Sequence, residues 1–138
     1  MSDRDDIVDV INDLFIAVDA RDWEAARQAL GPEVHFDMTS LAGGDVSILP
    51  REHIIAGWEE GLRPLRAIHH QAGNYRVELN GDTATAFCYA TAFHLLPEGT
   101  PNRIRTFVGS YDYTFERRDG RWVITAFRFN CKFVEPPF

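Results

Sequence analysis

Apolar side chains recur at three- and four-residue steps near the start of the chain, at Ile7, Ile11, Leu14, Phe15 and Val18. That spacing puts them on one stripe of a helix predicted over about residues 4 to 20, a stripe that needs a core to lie on. RDWEAARQALG follows as a second, shorter helix, with Asp22 as N-cap and Gly31 as the C-terminal stop. EVHFDMTS alternates as a short strand, and LAGGDVS, with its paired glycines, reads as a loop. Pro50 suits the first turn of a third helix, whose stripe is Ile54, Ile55, Trp58 and Leu62 and which Pro64 ends.

Beyond that proline the hydrophobic period changes to two. Alternating runs at 68–79, 82–96, 103–116 and 121–133 predict four strands. Asn80-Gly81 and Asp119-Gly120 supply the positive-φ residues of tight hairpins, and LPEGTPN makes a wider connection, so consecutive strands pair antiparallel. Helices first, one strand, another helix and then a strand meander is an α+β order. The architecture expected is a cone-shaped α+β barrel: three N-terminal helices packed in a strongly curved, mostly antiparallel sheet, with a pocket at the open end.

At 138 residues the chain fits one domain, 1–138, able to bury roughly two thirds of the surface its unfolded form exposes. Hydrophobic residues make up 45% and aromatics 12%, with ten phenylalanines, enough for a core and an apolar pocket. Lys plus Arg is 14 against 21 for Asp plus Glu, a net charge of -7. That balance repels phosphate backbones and anionic headgroups and argues against nucleic acid or a membrane surface as partner. The start, MSDRDDIVDV, is acidic where a secretory signal is basic, and no apolar run approaches the roughly 18 residues of a span, so a cytoplasmic protein is expected. Cys88 and Cys131 form no CxxC and read as two reduced, buried thiols.

Asp19 continues the series Ile11, Phe15 at four-residue steps, so the apolar stripe ends in a carboxylate that points inward and wants a partner. A frayed last turn, with Asp19 in water or beside Arg21, is the alternative, and the pattern leaves both open. In TATAFCYATAFHLL, Ala84, Ala86, Cys88, Ala90, Ala92 and His94 share one face. Five small side chains before an imidazole leave room for packed helices or for a cavity. In IHHQAGN, neighbouring His69 and His70 point to opposite faces. Alternation groups His69 with the apolar Tyr75, Val77 and Leu79, but a bulge at Gly73 would exchange the faces. The histidines show no HxxxH or HExxH spacing, there is no GxGxxG or P-loop, and no serine sits in a nucleophile elbow, so no metal, cofactor or covalent catalyst is expected.

The segments VDARDWEAARQALGPEVHFDMTS, IHHQAGNYRVEL and YTFERRDGRWVI, with the helix order, resemble SnoaL-like proteins of the nuclear-transport-factor-2-like superfamily over almost the whole chain. The pattern is most similar to the branch containing scytalone dehydratase and hexachlorocyclohexane dehydrochlorinase, which share an Asp-His dyad in a cone-shaped pocket. The resemblance places the dyad on Asp19 and His70 and a second pocket histidine on His94, and so favours His70 over His69. The dehydratase's two water-holding tyrosines fall on Val18 and Met38, and its pocket serine and asparagine on Gly109 and Tyr111, which removes scytalone from the expected substrates.

What this implies is a cofactor-free elimination on a small hydrophobic cyclic or terpenoid-like substrate. His70 would act as base, Asp19 would accept its other ring N–H, His94 would donate a proton to the leaving hydroxyl, and Tyr111 would hydrogen-bond a carbonyl oxygen. A free imidazole titrates near ~6.5, which suits a base at neutral pH. Phe15, Trp58, Phe107, Phe127 and Phe129 are candidate walls, each with a plain core role as the alternative. Two other functions stay open: an isomerase or polyketide-cyclase-like enzyme using the same proton abstraction, and a non-catalytic binding or assembly module. A homo-oligomer, dimer or trimer, is expected, with the apolar CKFVEPPF tail capping or crossing its interface.

Overall fold

A computed structural model describes residues 2–138. The chain runs α1 (Asp3–Ala20), α2 (Trp23–Ala29), β1 (Leu30–Asp37), a single turn α3 (Thr39–Ala42), β2 (Ser47–Pro50), α4 (Arg51–Leu62), β3 (Ala67–Asn80), β4 (Thr83–Leu95), β5 (Ile104–Arg118) and β6 (Arg121–Glu135). The six strands lie in the order β2-β1-β6-β5-β4-β3. Pairing is antiparallel except between β1 and β6. The helices and the curved, mostly antiparallel sheet are as expected, but the sheet is open rather than a closed barrel, with β2 and β3 as its edges. Among the described residues no helix is long and apolar enough to cross a membrane.

The stripe of α1 is buried at Ile7, Ile11, Leu14, Phe15 and Val18. Ala84, Ala86, Cys88, Ala90 and Ala92 of β4 are buried in the same core, their small side chains leaving space for bulkier neighbours. Both ends of α1 are tied down. At its start Ser2 caps the Asp5 N–H, and Arg117 donates to both carboxylate oxygens of Asp3 at 3.1 Å, with the Trp122 indole on the same carboxylate. At its end Arg21, in the left-handed conformation (φ 57°), closes the helix and donates Nη1 to Leu62 O at 2.9 Å and Nη2 to Leu65 O at 2.5 Å. The last turn of α1 is therefore fastened to the end of α4 rather than frayed.

Several local expectations shift. Asp22 does cap α2, but the helix passes from Ala29 straight into an extended Leu30, and Gly31 lies within β1, where a Cβ would come 3.3 Å from Ile124 O. The end of the glycine loop pairs with β1 as β2, so Pro50 is the N-cap of α4 and not its first helical residue. In the first long hairpin Asn80 pairs with Thr83, leaving Gly81 (φ 63°) and Asp82 as the loop, whereas Asp119 and Gly120 both have positive φ. Cys88 is buried, but Cys131 is only partly so; both are free.

The β3–β4 register slips between Gly73 and Arg76, and the residue in the left-handed region is Asn74 (φ 57°), not Gly73. Asparagine tolerates that conformation better than most side chains. The bulge exchanges faces, so Ile68, His70 and Ala72 point inward before it, and Tyr75 and Val77 after it. His69 is left outside, bonded to Gln71 Oε1 at 3.1 Å.

Gly109 is a steric requirement. A Cβ there would sit 2.2 Å from Asn130 O and 2.9 Å from the Phe129 ring, which occupies the space a side chain would take. Gly73, with nothing within 4 Å of its virtual Cβ, has no such demand. We predict that Gly109→Ala lowers stability by about 2 kcal/mol or more in urea unfolding, the scale of overpacking a rigid core, while Gly73→Ala does not lower it. Equal tolerance at the two positions would contradict the packing described.

Candidate active site

Residue i+4 spacing on α1 delivers Phe15 and Asp19 to the same side of the helix, facing β3. There His70 meets both. Its Nδ1–H donates to Asp19 Oδ1 at 2.7 Å and its backbone N–H donates to Asp19 Oδ2 at 2.8 Å. The Phe15 ring stacks on the imidazole at 4.9 Å between centroids with a 19° interplanar angle. A carboxylate accepts only, so the 2.7 Å contact assigns the proton of a neutral ring to Nδ1 and leaves Nε2 as the free lone pair. The pair is well shielded, with side-chain exposures of 12% for His70 and 19% for Asp19.

His70 borders a cavity of about 390 Å³, within the range of small-molecule sites. Val18, Met38, Trp58, Phe107, Tyr111, Phe127, Phe129 and His94 line it too, as does Phe15. Asp19 does not; it stands behind His70 and reaches the cavity only through that ring. Tyr111 is buried where Phe15, Phe127 and Phe129 converge at centroid distances of 5.3, 5.4 and 4.9 Å. Burial pushes its phenol well above the ordinary value, so it is a neutral O–H donor. Among the described residues no cluster of His, Cys, Asp or Glu is arranged to hold a metal ion.

His94 differs from the expectation. Burial, with smaller contributions from positive charge at His70 and Arg105, pushes its pKa down to about 4. It is neutral at pH 7 and unsuited to donate a proton as an imidazolium; a hydrogen-bonding role is what its environment leaves. The residues missing from the sequence-based set are Arg105 and Phe138, together with leucines including Leu41 and Leu65. Arg105 is registered opposite His94 on β5, and alternation back from Phe107 would have found it. Phe138 had no periodic signal, being beyond the last strand. Instead of extending outward, the tail folds back so that Phe138 stacks near Phe107, centroids 5.9 Å apart.

The family model for the SnoaL-like domain matches residues 1–128. No curated protein gives a match. Among solved structures, the Kfla4162 protein of Kribbella flavida superposes with a TM-score of 0.93 at 21% identity, covering 97% of this chain and 93% of that one. A hexachlorocyclohexane dehydrochlorinase, LinA-type3, from Novosphingobium barchaimii gives 0.81 at 20% identity, covering 96% and 88%. A candidate scytalone dehydratase from Novosphingobium aromaticivorans gives 0.83 at 14% identity, covering 100% and 93%. At these identities the likeness is one of fold.

The His94 environment has a measurable consequence. Its pKa is about 4 when folded against an ordinary 6.5, so between those values the unfolded chain binds more protons. The stabilisation is therefore fully present above about 6.5 and is lost as pH falls toward 4. Asp3, Asp37 and Glu52, held below their ordinary values of 3.8, 3.8 and 4.5, lose theirs at lower pH. Urea midpoints measured from pH 7 to pH 4.5 should fall more steeply in the wild type than in His94→Gln. Parallel curves would show that His94 is not buried as a neutral ring.

Proposed function

The chain belongs to the SnoaL-like family, and on that premise we propose that it is a cofactor-independent lyase in which His70 takes a proton from a small hydrophobic cyclic or terpenoid-like substrate. The observation that carries this reading is the Asp19–His70 hydrogen bond, 2.7 Å long, behind an imidazole that borders an apolar cavity. It prepares one nitrogen, Nε2, as base.

In the step proposed, Nε2 removes a proton from a carbon made acidic by a neighbouring carbonyl or leaving group. The C–H electron pair becomes the new C=C bond, and the leaving group departs with its bonding pair. Asp19 steadies the imidazolium as it forms, through the hydrogen bond it already makes. Tyr111 donates to an oxygen on which negative charge builds. His94, being neutral, hydrogen-bonds rather than protonates, so the proton acquired by His70 is the one available to a departing hydroxyl. The aromatic walls exclude bulk water that would otherwise solvate the base and the developing charge. Similarity in fold to a hexachlorocyclohexane dehydrochlorinase and to a candidate scytalone dehydratase supports a lyase-like or isomerase-like enzyme in general.

Isomerisation shares the first step and differs only in returning the proton to another carbon, so product structure separates the two. A non-catalytic binding module is favoured by one feature, the apolar Val18 and Met38 on the cavity wall. The exposed aromatic rings of Tyr89, Phe93 and Phe133 suit a homo-oligomer.

The test is a binding screen with cyclic and terpenoid compounds bearing a leaving group β to an acidic C–H, followed by turnover assays on each hit. We expect His70→Ala to lower kcat by roughly 10²–10⁴-fold, the usual contribution of a positioned base, and Asp19→Asn to lower it in the same direction with ligand affinity preserved. Turnover that neither substitution slows would remove His70 as base. Binding without turnover of any hit would favour the module.

A further inference from the structure

Among the described residues that line the cavity, Arg105 alone carries a permanent charge. It extends from β5 opposite His94 of β4. Its Nε donates to Pro136 O at 3.1 Å, and its guanidinium carbon lies 4.7 Å from the centre of the Phe138 ring. These contacts hold the guanidinium plane while assigning only one of its five N–H groups. Arg27, Arg63, Arg117, Arg118 and Arg128 each meet a carboxylate, whereas Arg21, like Arg105, is bonded to backbone carbonyls but lies outside the cavity wall. Arg105 has no carboxylate partner among the described residues, although the chain carries 21 acidic side chains against 14 basic ones.

A part-buried guanidinium turned toward an apolar chamber loses water on that side and gains nothing in return unless an anion is supplied. Among the described residues no side-chain carboxylate lies within ion-pair distance of Arg105, and none lines the cavity. The two terminal nitrogens form the edge of a planar fork that matches both oxygens of a carboxylate. His94, neutral and adjacent, adds a ring N–H without adding repulsion or competing charge. Phe107, Phe127, Phe129 and Trp58 offer the remainder of the chamber to an apolar body.

From this arrangement we infer that the substrate is a hydrophobic monocarboxylate, its ring or chain in the aromatic chamber and its carboxylate on the Arg105 guanidinium beside His94. The inference rests on the proposed reaction only in taking the cavity as a substrate site. It makes Arg105 the residue that determines specificity, selecting charged acids over neutral compounds of the same shape. The competing role for Arg105 is mechanical, a clamp that holds the Pro136–Phe138 segment over the cavity. A clamp would matter equally to neutral and anionic ligands.

The experiment uses that difference. Trp58 borders the cavity and packs 5.7 Å from Phe127, so its fluorescence reports occupancy. Cyclohexane, benzene and naphthalene carboxylates are titrated beside their carboxamides, which match them in shape, into the wild type, Arg105→Gln and Arg105→Lys proteins, each first checked by thermal unfolding. At least one carboxylate should bind the wild type about tenfold or more tightly than its amide, the scale of one charge-assisted pair. Arg105→Gln should remove that preference and leave amide affinity within about twofold, and Arg105→Lys should keep part of it.

No preference for any carboxylate over its amide, including no binding by either, would overturn the inference. So would loss of both affinities alike in Arg105→Gln, the signature of a clamp. Carboxylate preference with no turnover of any compound would count against the lyase alone, and turnover of neutral compounds with no carboxylate preference would count against this inference alone.

Discussion

The carboxylate of Asp19 accepts two hydrogen bonds from one residue 51 positions away, the ring and the backbone N–H of His70. This double contact joins the last turn of α1 to the edge strand β3. It fixes at once where the strand lies against the helix, how the imidazole is rotated, and which nitrogen carries the proton. A single bond to the ring would leave the strand free to slide; a single bond to the backbone would leave the ring free to turn. Phe15, one helical turn earlier, closes the remaining freedom by stacking on the ring face. The supports behind α1 serve the same end: Arg117 and Trp122 hold Asp3, and Arg21 holds the carbonyls of Leu62 and Leu65.

Two histidines face one cavity and differ because their surroundings differ. His70 has an anion at its back and an aromatic ring on its face. His94 has burial, a cation at the opposite register position and the Phe107 ring 4.6 Å away, and it is held neutral. The first environment fixes the orientation and tautomer of its ring, and the second disfavours the charged form of its own. The chemical division of labour thus follows from which strand position each occupies: His70 beside the helix, His94 beside Arg105.

The elements whose hydrophobic period persists over many residues were legible from the sequence: α1, α4 and the four long strands fall where periodicity places them. Asp19 was visible as the carboxylate that ends an apolar stripe, and the small inward face of β4 as a run of alanines. What escaped was set by tertiary context. Strict alternation pointed to His69 because it ignores the register slip between Gly73 and Arg76, centred on left-handed Asn74; the bulge suspected at Gly73 and the family resemblance together brought His70 forward. Gly31 lies within β1, in close approach to the β6 backbone at Ile124, and does not stop a helix. β2 is four residues long and has no period to read. Arg105 was readable in principle, two positions before Phe107 on the same face, but a charged residue at a strand start is ordinarily taken as solvated. Phe138 has no pattern at all, since its place is decided by Arg105 and Phe107.

The central claim is that Asp19 holds His70 with its proton on Nδ1 and presents Nε2 to the cavity. The most direct measurement is the ¹⁵N–¹H long-range correlation of the imidazole nitrogens in protein labelled on histidine, assigned by comparison with His70→Gln, at a pH where the ring is neutral. The account predicts a protonated Nδ1 and an unprotonated Nε2 for His70 in the wild type, with that tautomer preference lost in Asp19→Asn. A ring protonated on Nε2, or one unchanged by Asp19→Asn, would contradict it.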